Sequence, residues 1–304
     1  MKVLIDKRKF TGGPSVFRER ISRAMSDLTD VQVTHEFNGS FDVELSIIRL
    51  LSKHTKPRVL RIDGCYYRPK QLQSNKNLMD AIRKVGAVIF QSNFSKRMVL
   101  KILKAKPRES HVIYNGIDQA YVASIQPNPR VEAGSFMAVA KWRDNKRPLS
   151  MLQGFARADT GRHFYIVGEG IPGKVAKKYK NVHLLGKRNN TQILAIMKAC
   201  QYQIHLCHID SCPNAVVEGL SCGLNVLCTN LGGTPELVQS DGVVLDIDEW
   251  DYQPREFANL DNVHPKKIAR GIQRLLRKTE RASRPDLDIR NTAKSYEAVL
   301  RGVM

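Results

Sequence analysis

Residues 202–228 read YQIHLCHIDSCPNAVVEGLSCGLNVLC. The run 202–207 is apolar and bounded, as a buried strand is. Asp210 follows it. Pro213 and Asn214 then open a helix over 214–221, because proline fits the first helical turn, where its missing N–H is no loss. Glu218 lies one turn inside that helix, eight positions after Asp210. Gly223 follows the helix, and 225–228 is the next apolar strand. A strand, a helix and a strand in so short a span belong to a parallel sheet with a helical crossover.

The same alternation extends outward in both directions. On the C-terminal side of residue 134, strands are expected at 135–140, 163–167, 182–185 and 243–245. Helices are expected at 148–157, 191–199, from Pro235, at 264–282 and at 288–302. Toward the N-terminus, strands are expected at 2–5, 31–37, 58–62, 87–91 and 111–114. Pro14 opens a helix that places Phe17, Ile21 and Ala24 on one face. A second helix covers 77–84, and a third is capped by Ser92 or Asn93. The stretch 41–51 shows no clear period. The stretch 119–134 has few apolar residues and two prolines and reads as a linker. The chain is therefore α/β, with two parallel, helix-covered sheets in domains 1–128 and 129–287.

Composition agrees with a globular chain of 304 residues, with 42% hydrophobic and 26% charged residues. No apolar run approaches the roughly 18–20 residues of a membrane span. MKVLID is followed at once by KRKF and lacks the apolar core of a secretory signal. Five of the six cysteines fall between Cys200 and Cys228, on strands and helices, which points to a reduced, cytoplasmic protein rather than a disulfide scaffold. Cys207 and Cys212, with His205 and His208, suggest zinc by type but fit no regular zinc spacing, and the cysteines read as small buried thiols on an apolar strand. The formal charge of +20 favours an anionic partner. Residues 1–128 carry 23 basic and 11 acidic side chains, so the N-terminal part is the more basic per residue.

Ligands of open parallel sheets bind beyond the carboxyl ends of the strands. The loops there contain Gly12-Gly13, Asp63, 141–146, Gly168-Glu169-Gly170, 210–214 and Gly232-Gly233. In the 210–218 segment, free N–H groups of a helix start attract anions, and two carboxylates beside them accept hydrogen bonds from sugar hydroxyls. A capped helix with Glu218 facing solvent is the plain alternative. Lys141, Arg143 and Lys146 place three cations in one loop, enough to neutralise a diphosphate or simply to solvate a turn. Gly12-Gly13, after Thr11, lets backbone approach a ligand, or forms a common turn. Gly168 lies in a glycine turn that lacks the third glycine of a dinucleotide fingerprint.

Taken together, Ala140-Lys-Trp-Arg-Asp-Asn-Lys146, the 164–170 strand and turn, 182–186, Asp210 to Glu218, 223–226 and 232–236 resemble glycosyltransferase family 4. The resemblance is strong over 135–240. It is looser over 1–118, through Gly12-Gly13, Gln91-Ser92 and Tyr114-Asn115-Gly116-Ile117-Asp118. It implies the GT-B fold, two Rossmann-like domains facing each other across a cleft, with 288–304 packing back on the N-terminal domain. It implies a retaining transfer of a sugar from a UDP-sugar or GDP-sugar to a glycan or lipid-linked acceptor, with no metal or other cofactor required.

By the same resemblance, Lys141, Arg143 and Lys146 hold the diphosphate, Glu218 the ribose and Asp210 the donor sugar. Amides around Pro213, Asn214 and Ala215 support sugar or phosphate. Gly12 and Gly13 approach the phosphates; Gly168, Gly232 and Gly233 are expected at the donor, where the Gly232-Gly233 junction either receives a phosphate or sugar hydroxyls or forms a tight turn. Three departures stand out: Asp210 replaces the family's first Glu, Lys141 its Arg, and Asp63 is expected either in the place where many members have His or as part of a structural Asp-Gly turn. The basic segment 95–108 is expected either to cover its sheet or to lie on an anionic membrane at the cytoplasmic face. A nucleotide-sugar epimerase or phosphorylase on the same fold is the nearest alternative. A nucleic-acid binder or nucleic-acid-directed sugar transferase is less favoured, since no basic stripe interleaved with aromatics and no nucleic-acid motif is present.

Overall fold

The computed structural model describes residues 1–5, 12–36, 39–50 and 54–304. Thr11 and Phe37 lie outside them. The chain forms two compact units. The first comprises Met1–Ile117, Trp250–Glu256 and Asp286–Met304, and the second Asp118–Glu249 and Phe257–Pro285.

In the first unit, β1 (Lys2–Leu4) leads to α1 (Gly13–Leu28), β2 (Gln32–Thr34), β3 (Val43–Ile47) and β4 (Arg58–Ile62). Then come α2 (Lys76–Lys84), β5 (Ala87–Phe90), α3 (Asn93–Leu103) and β6 (Glu109–Val112). The six strands are parallel, in the order β2-β1-β3-β4-β5-β6. Strands with helices on both faces bury every residue, as β5 does. β3 is equally buried although it carries Glu44 and Ser46. Glu44 is neutralised by Arg58 at 3.3 Å and bonds His54 and Ser46. Ser92 caps α3 through a reciprocal bond with Ser95, donor to acceptor 3.1 Å.

The second unit opens with α4 (Gln119–Ser124), β7 (Phe136–Val139), α5 (Pro148–Ala158), β8 (Phe164–Val167), α6 (Gly173–Ala176), β9 (Val182–Gly186) and α7 (Asn190–Ala199). It continues with β10 (Tyr202–His205), α8 (Asn214–Ser221), β11 (Asn225–Thr229), α9 (Thr234–Val238), β12 (Gly242–Leu245) and α10 (Pro265–Leu275). Its strands are also parallel, in the order β12-β11-β10-β7-β8-β9. The stretch 119–134 is therefore not a bare linker. Asp118 caps α4 by accepting from Tyr121 N at 2.9 Å. α4 then joins the second unit, because Lys198 Nζ donates to Val122 O at 3.1 Å and Tyr121 bonds Thr191 at 2.7 Å.

The last helix, α11 (Ile289–Gly302), belongs to the first unit. It buries Ile289, Ala293, Tyr296 and Leu300 in one core with Phe17, Ile21 and Ala24 of α1. Tyr296 and Phe17 rings lie 5.7 Å apart. Each fully buried Ile, Leu or Phe there contributes roughly 1.5–3 kcal/mol.

The topology selects a place for chemistry. In the second sheet the chain runs outward from β7 through β8 to β9, then returns to the other flank of β7 with β10. Loops leaving β7 and β10 therefore diverge, and the carboxyl ends of those two strands open a crevice.

Candidate active site

Two of those loop residues meet. Lys146 comes from the loop after β7 and Asp210 from the loop after β10; Lys146 Nζ donates to Asp210 Oδ2 at 2.9 Å. Their side chains are 22% and 25% exposed, so the pair is screened by protein yet reachable by a ligand. Burial alone would lower the Lys146 pKa, but the Asp210 carboxylate outweighs it and raises it. Burial would raise Asp210, and the Lys146 ammonium reverses this and holds it below the usual carboxylate value. Lys141 and Arg143, on the same loop, are exposed, and among the described residues neither has an ion pair or side-chain hydrogen bond. The loop thus offers one oriented cation and two uncommitted ones.

Glycines allow this approach. Gly168 has φ +111°, and a Cβ there would sit 1.8 Å from Ala140 O, so only glycine lets the turn after β8 lie against the cationic loop. Trp142 completes that contact through N to Glu169 O at 2.8 Å and Nε1 to Val167 O at 3.1 Å. Gly232 likewise packs on Asp210, where a Cβ would come within 3.0 Å of its carbonyl. Gly233 N donates to Asp210 O at 2.7 Å. Both turns thereby fix the loop geometry.

A network absent from the sequence reading lies behind the pair. Arg147 is buried at φ 55°, a left-handed conformation. Its guanidinium forks onto Asp248, with Nη1 to Oδ2 at 2.9 Å, and Nε donates to Leu260 O at 2.8 Å. Nη1 also reaches Leu206 O, at 3.4 Å. Asp248 accepts a third bond from His208 Nδ1 at 3.1 Å. Burial acts to raise the Asp248 carboxyl, but hydrogen bonds from His208 and Arg147 prevail and lower it. The network joins the start of α5 to the loop after β10, the two segments that carry Lys146 and Asp210. Neither Arg147 nor Asp248 carries a local signal of it in the sequence.

His205 ends β10 beside this pair, its Nε2 4.0 Å from Asp210 Oδ2. Burial, then the Lys146 charge, push its pKa down to about 4. Burial raises the Cys207 thiol to about 12, so it stays protonated. His205, Cys207 and Asp210 place potential ligand atoms within 4.8 Å of one another. Lys146 already holds the carboxylate, and an ammonium 2.9 Å from it opposes a metal cation there.

The buried imidazole makes the second unit acid-sensitive. Between pH 6.5 and 4 the unfolded chain takes up a proton at His205 that the folded chain refuses, so stability falls as pH falls. The full effect is on the order of 3 kcal/mol. In His205→Gln the denaturant midpoint should fall less than in the parent over that window. Parallel pH profiles for the two proteins would rule the assignment out.

Pro213 caps α8 without a side-chain bond, and Asn214 and Ala215 form its first turn. Glu218 is buried one turn further, its Oε1 accepting from Asn190 Nδ2 at 3.1 Å. Glu218 therefore does not face solvent. Asn190 escaped the sequence reading because a polar residue at a helix start is read as a cap.

In the first unit, Gly12 caps α1 at φ 77° and Gly13 is its first residue, both exposed. Asp63 accepts from Arg61 and, at 2.7 Å, from Gln91 Nε2. Arg61 is buried, donates to Asn115 Oδ1 at 3.1 Å and stacks 3.9 Å above Phe17. The Asp63 carboxylate thus ties together the ends of β4 and β5 and the Asn115 turn. α3 buries Phe94, Met98, Val99 and Leu103, so its apolar side covers the sheet and only its basic side faces outward. Among the described residues no helix is long and apolar enough to cross a membrane.

No curated protein matches the chain in sequence. Solved structures match its fold along almost the whole length. HepE of Anabaena, in complex with UDP and glucose, aligns at 17% identity and TM-score 0.66, covering 99% of this chain and all of that one (100%). A glycosyltransferase from Rickettsia africae ESF-5 aligns at 12% identity and TM-score 0.64, covering 99% and 97%. Sucrose-phosphate synthase from Thermosynechococcus elongatus aligns at 12% identity and TM-score 0.63, covering 99% and 96%. Residues 134–277 match the family described as Glycosyl transferases group 1. The chain has the GT-B fold of these structures, and the match to glycosyl transferases group 1 covers residues 134–277, most of them in the second unit.

Proposed function

We propose that the chain is a retaining glycosyltransferase that uses a nucleoside diphosphate sugar, UDP-linked, as donor. The observation that carries the proposal is the Lys146–Asp210 pair at the ends of β7 and β10, with Lys141 and Arg143 uncommitted on the same loop. The UDP complexes of HepE support the choice of uridine.

In this reading the bond between the sugar's anomeric carbon and the diphosphate oxygen breaks, and its electron pair leaves with UDP. Lys146, Lys141 and Arg143 stabilise the charge that develops on the departing phosphate. Asp210 positions Lys146 and accepts hydrogen bonds from donor sugar hydroxyls. Glu218 accepts from the ribose, and the first turn of α8 presents N–H groups to sugar or phosphate. The acceptor hydroxyl bonds to the anomeric carbon on the face UDP leaves, and its proton passes to the released phosphate. The protein supplies no nucleophile, and the residues named need no metal. The acceptor is a glycan or lipid-linked sugar held by the more basic first unit.

A thermal-shift screen of nucleotides tests the donor. UDP at a hundred times its dissociation constant should stabilise the fold by about 2.7 kcal/mol. Glu218→Ala should weaken that binding at least tenfold, through loss of hydrogen bonds to a charged acceptor. An unchanged UDP affinity in Glu218→Ala removes Glu218 from the site. Transfer also accumulates free UDP, which separates it from epimerisation.

A further inference from the structure

Away from that site, a groove of about 470 Å³ runs along α10 beside the end of α5. Arg157, Lys266, Arg270, Arg274 and Arg277 line it, and no carboxylate does. All five are exposed, and among the described residues none of the five side chains has an ion pair or hydrogen bond. Lys266, Arg270 and Arg274 follow one another at i, i+4 spacing, about 6 Å apart along the helix axis.

Local structure does not account for this row. Like charges at i, i+4 weaken a helix, and α10 contains no acidic residue to relieve them. Lys266 and Lys267 stand in the first turn, where the helix dipole favours acids. The fold tolerates a convergence of cations that none of the described residues neutralises. Four of the five are arginines, whose planar fork matches phosphate oxygens.

We infer that this groove binds the phosphate backbone of a single-stranded nucleic acid. The site is separate from the donor residues and does not depend on their reading. Three features favour a strand over a bilayer. Four of the cations follow one row along α10 and just beyond its end, with Arg157 beside it at the end of α5, and do not spread over a broad face. The floor, Ala158 and Ala269, is recessed between two helices. None of the exposed large hydrophobic residues lies there to insert into lipid. No aromatic side chain lines the groove for base stacking, so binding is electrostatic and indifferent to sequence.

Fluorescence anisotropy of the full chain with a labelled oligothymidine strand, over a salt series, tests this. Five phosphate contacts give a slope of log affinity against log salt of about −3.5. Arg270→Gln/Arg274→Gln/Arg277→Gln should reduce it to about −1.4 and weaken binding more than tenfold at moderate salt. A charge-matched control, Lys84→Gln/Arg97→Gln/Lys106→Gln on the first unit, should leave the slope near the parent value. Equal effects of the two triple variants overturn the inference, because binding then follows net charge alone. So does an α10-dependent association with phosphatidylserine vesicles in the absence of strand binding. The α10 variant should melt no lower than the parent, since like charges are removed. If it fails to fold, Arg270→Gln alone should still take about 0.7 from the slope, and an unchanged slope overturns the proposal.

Discussion

Lys146→Met should lower the rate of UDP release from the preferred donor by about 10²–10³. Removing one preorganised donor aimed at developing charge costs about 2.7–4 kcal/mol. Lys146 meets that description better than its loop neighbours. Its ammonium is oriented by Asp210 at 2.9 Å before any ligand arrives, whereas Lys141 and Arg143 project into solvent. A flexible exposed cation spends entropy on each contact and is screened by water, so its removal costs less. The loss should appear in kcat more than in KM, because the charge Lys146 meets is largest as the bond to phosphate breaks. Lys146→Arg should not restore the rate, since a planar fork does not reproduce a compact ammonium. A thermal melt shows whether Met at this position disturbs the fold. A folded Lys146→Met protein that releases UDP within a few-fold of the parent rate would exclude Lys146 from the chemistry.

Why Lys146 and Asp210 are legible in sequence, and their support is not, has a physical reason. Both stand just beyond apolar runs that can only be buried parallel strands, and such strands place ligands at their carboxyl ends. Position along the chain therefore carries the chemistry. β3 hid for the opposite reason. Glu44 and Ser46 break the apolar run over 41–51, and the side chains that permit their burial, His54 and Arg58, lie ten and fourteen positions away. Charge compensation across strands has no period to find. α4 was obscured by the prolines that follow it, although its cap, Asp118, was in plain view. Asp248 sits in a segment with neither strand nor helix, a hundred residues from the arginine it pairs with. Only the packed structure can bring such partners together.

That pairing predicts the largest loss of stability in the second unit. Arg147→Leu should destabilise it by about 3–5 kcal/mol, because the Asp248 carboxylate is left buried without its cation. A non-glycine residue at φ 55° keeps its backbone strain, so nothing is regained there. At roughly 2–4 °C per kcal/mol for a unit of this size, the melting temperature should drop by about 10 °C. Asp248→Asn together with Arg147→Gly removes both the stranded charge and the strain, and should recover much of the loss. The double variant thus separates a penalty of an unpaired ion from a shortage of packing: if it melts with Arg147→Leu, packing is the cause and the charge argument fails. The pH dependence carries the same information. Asp248 is held below the usual carboxylate value in the fold, so its share of stability is present above pH 3.8 and disappears as acid protonates the folded carboxyl. Asp248→Asn should lack that share at neutral pH, and the gap between variant and parent should close in acid. Because the network joins the segments that carry Lys146 and Asp210, the double variant, though refolded, should still turn over slowly: it restores the fold without restoring the fork that sets Lys146 against its carboxylate.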